Sequence, residues 1–181
     1  MRKAIVLLAA WIIPAVAQDI KFPASFEKLA AKAEETVDVT LDSSLLQLGS
    51  KFLSNQDPEQ AKAKKLVSGL KGVYVRSYQF AKEGEYTEED VAAIRSQLSG
   101  PGWSRIVGVR SQKKGENADV FIKKEGDQIV GLTVIAAEPK ELTVANIVGP
   151  INPEDLAELG GQFGLPKVEV QKKQTPKKET K

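Results

Sequence analysis

Beyond its first seventeen residues, the chain switches repeatedly between apolar spacings of three to four and spacings of two, and each switch predicts an element boundary. Phe22, Phe26, Leu29, Ala30 and Ala33 share one helical face with Pro23 near its start, which predicts an amphipathic helix over 22–35. Residues 36–42 then alternate in period two with β-branched Thr36, Val37, Val39 and Thr40, the pattern of a half-buried strand. Leu45, Leu46, Leu48, Phe52 and Leu53 fit a second helix. Asp57-Pro58-Glu59-Gln60 opens a third: Asp57 can accept from free N–H groups, Pro58 suits the first turn, and the acids meet the positive helix end. Gly69 and Gly72 mark its close.

From there the pattern turns to strands. Residues 73–80 are rich in β-branched and aromatic side chains. Thr87-Glu88-Glu89-Asp90 is close to a capping box, with Val91, Ile94 and Leu98 as the buried stripe, Arg95 on its flank and Gly100-Pro101-Gly102 as its stop. Four strand-like runs follow, at 103–111, 118–124, 128–137 and 142–148, joined by short polar links such as Glu125-Gly126-Asp127. Such links favour antiparallel neighbours, because a parallel crossover needs about a dozen residues or more. Residues 129–137 are apolar on both alternating sets, so that run is expected as a central strand covered on both faces. Asn152-Pro153-Glu154-Asp155 caps a last helix carrying Leu156, Leu159 and Phe163. The expected architecture is a single α+β domain: a mainly antiparallel sheet of five to six strands, with helices packed mostly on one face.

The opening stretch changes where this domain is expected to work. Met1-Arg2-Lys3 precedes an apolar run that ends in Ala15-Val16-Ala17, the layout of a cleavable secretory signal. A membrane span needs about 20 apolar residues, and this run is shorter and contains Pro14. The organisation is therefore read as a signal over 1–17, an amino-terminal helix over 18–35, the α+β body over 36–166 and a Lys-rich disordered tail over 167–181. Cleavage after Ala17 would leave a soluble periplasmic or extracellular chain with no transmembrane segment. It would remove Arg2 and Lys3 from 26 basic residues, leaving 24 against 24 acidic ones. That balance hides an asymmetry: residues 167–181 carry six Lys and two Glu, and the body from Gln18 to Pro166 has 18 basic and 22 acidic residues. An acidic body with a basic tail argues against a nucleic-acid-binding domain, which clusters its cations on a folded face. The tail itself suits weak, salt-sensitive contact with anionic surfaces.

Missing residue types narrow the chemistry further. Past Met1 there is no His, Cys or Met, which removes disulfides, thiolate nucleophiles, His-based triads and imidazole metal sites. No Asp-rich loop has calcium-ligand spacing, so neither a metal nor a cofactor is expected. Ser25/Lys28 and Ser111/Lys114 fit a Ser-x-x-Lys spacing, which is common by chance in a Lys-rich chain and comes without its companion elements. Glu138/Glu141 and Glu83/Glu85 are the nearest carboxylate pairs, in turn-like segments where solvated charge explains them. No catalytic residue is assigned. The binding candidates are Tyr74, Arg76 and Tyr78, on alternate positions of one strand, with Trp103 and Arg105 opening the next. Tyr, Arg and Trp are the types enriched at binding hot spots, although the same row can also rim a core with its arginines laid over it.

Three segments carry a family resemblance: 66–78 (LVSGLKGVYVRSY), 101–107 (PGWSRIV) and 138–149 (EPKELTVANIVG). They resemble a bacterial family defined as a domain of unknown function, DUF4252, over residues 36–166. The resemblance implies an exported α+β protein, some relatives of which are lipoproteins; this chain, without Cys, departs from those. It implies no activity or site residue. The expected role is a non-enzymatic envelope protein that binds an envelope protein or polymer. Two alternatives stay open: a carboxylate-dependent hydrolase of envelope glycans, and a structural homo-oligomer.

Overall fold

The computed structural model describes residues 20–153, apart from Lys114. The leader over 1–17, the helix expected beyond Asn152 and the tail over 167–181 lie outside the described residues.

Local signals in the sequence start most of the helices. Asp57 caps the helix Pro58–Gly69 by accepting from the Glu59 and Gln60 N–H groups at 2.9 and 3.1 Å. Thr87 and Asp90 cap each other's backbone at the head of the helix Glu88–Arg95, which tightens into a 3-10 turn over Ser96–Ser99. Asp42 caps Ser43–Ser50 through a 2.9 Å bond from the Leu45 N–H. In chain order the helices are α1 (Ser25–Lys32), α2 (Ser43–Ser50), α3 (Pro58–Gly69) and α4 (Glu88–Arg95). The first is shorter than its apolar stripe predicts, because Glu35 already belongs to the following strand.

The strands are β1 (Glu35–Asp42), β2 (Gly72–Gln79), β3 (Trp103–Ser111), β4 (Glu116–Glu125), β5 (Gln128–Glu138) and β6 (Glu141–Ile151). They form one antiparallel sheet in the order β1-β2-β6-β5-β4-β3. The last four strands make a meander, as their short links require. β5 and β6 are central, in keeping with the doubly apolar 129–137 run. β1 is an edge strand and almost wholly exposed, so the half-buried strand expected at 36–42 is corrected: neither face of that edge is well covered.

Pleating sorts the side chains into two cores. On one face Tyr78, Leu142, Ala137, Val144, Ile135 and Phe121 pack with Phe26 and Leu29 of α1, Val91 and Ile94 of α4, and Leu98. On the other, Val120, Ile122, Leu132 and Ile151 pack with Leu46 of α2 and Leu70 beyond α3. The expectation that helices lie mostly on one face is corrected accordingly, since each face has its own pair. The reason is connectivity: α2 and α3 form a hairpin inserted between adjacent strands β1 and β2, while α1 precedes β1 and α4 follows β2. We call the α1/α4 side the first face.

Candidate functional site

Asp119 has no apolar reason to be where it is. It lies in the middle of β4 between Ala118 and Val120, points to the first face and is 0 % exposed. A carboxylate removed from water needs charge partners and hydrogen bonds on its lone pairs. Three arginines supply them. From the last turn of α4, the Arg95 Nε–H donates to Oδ2 at 2.8 Å. From β3, Arg110 Nη2 reaches Oδ1 and Oδ2, both at 2.9 Å, and Arg105 Nη1 reaches Oδ1 at 3.2 Å. Arg95 also pairs with Glu88, one residue past the α4 cap.

Backbone geometry brings Arg105 and Arg110 to one side. A bulge between Arg105 and Val107 leaves Ile106 without a cross-strand partner. Arg105, opposite Phe121, and Arg110, opposite Asn117, thus both stand over the first face, with Gly108 opposite Asp119 between them. A Cβ at Gly108 would sit 3.3 Å from the Arg105 guanidinium carbon, so the missing side chain leaves the space in which that arginine lies. The same face continues to Trp103 and Lys123, directly opposite each other, with the ammonium 6.0 Å from the indole centre. Arg105 uses one N–H on Asp119 and keeps 55 % of its side chain exposed; Arg110 is also partly exposed. Arg95, Arg105, Arg110 and Lys123 against Asp119 and Glu88 leave an excess of positive charge at this edge.

The five residues singled out in the sequence divide into two groups. Trp103 and Arg105 belong to the edge just described. Tyr74, Arg76 and Tyr78 point to the same face from β2, but β6, β5 and β4 intervene, so four strand spacings of roughly 4.8 Å separate the groups. Tyr78 is buried among Phe26 and Phe80, with ring centres at 5.7 and 6.5 Å. Burial pushes its hydroxyl above the usual tyrosine value, with nearby Arg76 opposing the shift and Asp38 adding to it. Arg76 pairs with Asp38 and lies 5.0 Å from the centre of the Phe22 ring. Tyr74 folds back over Gly72, where a Cβ would meet its ring at 2.7 Å.

Sequence reading missed Asp119, Arg95 as a ligand, Arg110 and Lys123. The available signal was a single acid inside the apolar run Ala118-Asp119-Val120-Phe121-Ile122, which requires a cationic partner wherever that strand is buried.

A second buried polar pair lies further in. Thr133 Oγ1 donates to Asn146 Oδ1 at 3.1 Å across β5 and β6, and Asn146 Nδ2 has no hydrogen-bond partner among the described residues. Among the described residues, no group of three or more Asp or Glu is placed to hold a metal ion, and no helix is long and apolar enough to cross a membrane.

No curated protein matches the chain. The family model described as "Domain of unknown function (DUF4252)" matches residues 26–159, a span that takes in all six strands, and the chain therefore belongs to that family.

Proposed function

We propose that this chain is an exported, non-enzymatic binding module of the bacterial envelope, and that its β3 edge holds an anionic group of a polymeric partner. The observation that carries this reading is the set of three arginines gathered on one buried carboxylate. Asp119 fixes the guanidiniums in place before any ligand arrives, so little side-chain freedom remains to be lost on binding. The cations outnumber the acids, and Arg105 turns outward with a fork suited to phosphate or carboxylate oxygens. Trp103 beside it is half-buried against the first core with Lys123 over its ring, so its exposed part adds apolar contact for a sugar or chain segment. Asp119 has both oxygens engaged by cations, which favours a positioning role over the free, desolvated general acid a glycan hydrolase needs. The leader-like first seventeen residues support export.

The test is titration with a defined polyanion, sodium polyphosphate. Binding should weaken steadily as salt is raised. Arg105→Ala combined with Lys123→Ala, which leaves Arg95 and Arg110 on Asp119, should reduce affinity about tenfold. Unchanged affinity in that folded double variant would sink the assignment of the site.

A further inference from the structure

At the opposite edge of the sheet, the α2 region carries an apolar stripe turned away from the core. Leu41, Leu45, Leu48 and Phe52 recur at helical spacing along the end of β1, α2 and the turn beyond it. All four are exposed, Leu48 at 51 % and Phe52 at 82 %, whereas Leu46 on the other side of α2 is buried. Phe52 sits in a tight turn, its N–H donating to the Gly49 carbonyl at 3.1 Å, and Lys64 Nζ from α3 reaches the Leu53 carbonyl at 3.3 Å. The turn that presents the ring is therefore tied to the neighbouring helix.

The charge around this stripe differs from that of the body. Between Leu41 and Lys71 the chain has five Lys against Asp42, Asp57 and Glu59, within a body that is acidic overall. Asp57 is further engaged as the α3 cap. We infer that this hairpin is a peripheral membrane-docking element, with Leu45, Leu48 and Phe52 entering the interface of a bilayer and the lysines meeting anionic lipid head groups. A projecting aromatic and two leucines, with Lys51 next in sequence to Phe52 and further lysines on the neighbouring α3, make up the composition of an interfacial element, and the local cationic excess selects an anionic surface. The element lies across the sheet from the arginine edge and is independent of it, so a docked domain would keep that edge in solution.

The chain has no Cys, so a single thiol can report on this site alone. The full chain carrying Leu48→Cys, labelled with an environment-sensitive dye, is mixed with vesicles of phosphatidylcholine alone or with added phosphatidylglycerol. Glu125→Cys, at the exposed last residue of β4, is the reference. Emission from position 48 should shift to the blue only on anionic vesicles and revert at about 0.5 M salt, while position 125 stays unchanged. Adding Phe52→Ser should raise the lipid concentration for half-maximal shift about tenfold. Three results would overturn the proposal: a water-like signal at position 48 while the chain co-sediments with vesicles; a blue signal before vesicles are added, meaning another part of the chain or a second copy covers the stripe; or equal shifts on both vesicle types.

Discussion

Asp119 is a single carboxylate on which three other residues depend. Replacing it with Ala leaves Arg95, Arg105 and Arg110 crowded together, with Glu88 still paired to Arg95. The arginines left behind are partly exposed and can turn to water, so the loss of a charged partner should cost about 1–3 kcal/mol and lower the urea midpoint. The tyrosines give a second residue-scale prediction. Burial raises Tyr78, and burial together with Glu138 and Glu88 raises Tyr86, whose hydroxyl donates to the Glu138 carbonyl. The unfolded chain releases these protons near the usual tyrosine value of 10.0, and the folded chain holds them longer. The stabilisation is therefore complete below that pH and is lost as pH rises through the folded values. Unfolding measured across this alkaline range should show the decline, and Tyr78→Phe should flatten part of it.

At the scale of elements, capping made the helix starts legible. Asp57 before Pro58 and Thr87 before Asp90 each satisfy N–H groups that a helix leaves unpaired. Thr87→Ala should cost about 1 kcal/mol in denaturant unfolding. Strand ends were harder to place. Gly149-Pro150 looks like a stop, yet β6 runs to Ile151 because Gly149 takes φ +135° and lets the pairing slip between Ile129 and Gly131. A Cβ there would lie 2.8 Å from Leu70 Cα. Gly149→Ala should therefore destabilise by about 2–4 kcal/mol, visible as a lower unfolding midpoint.

For the whole molecule, sequence alone conveys the α+β class and the meander, since alternation and link length are local properties. Strand order is not local. Nothing within residues 73–80 or 103–111 states that three strands will separate them, so a row of Tyr, Arg and Trp that looked continuous came apart into two groups. The arginine edge was hidden for the same reason: Arg95, Arg105, Arg110 and Asp119 come from three elements and meet only after folding. The sheet order also predicts a gradient of protection. Amide hydrogen exchange should be slowest in β5 and β6, covered on both sides, and fastest in the exposed edge β1.

The unpaired Ile106 has a consequence for how this edge tolerates change. Positions five apart on a regular strand fall on opposite sides, yet Arg105 and Arg110 work together because one additional residue stands between them. Which side the arginines take is thus set by their partners on β4, and the bulge absorbs the odd residue between them. Arg105 faces Phe121 and Arg110 faces Asn117, positions four apart on β4, so removing Ile106 would make β3 regular and leave both arginines on the side of Asp119. Within β3, Ile106 is therefore a residue the arginine pair can lose, and the regular pairing on either side of it is what the pair depends on.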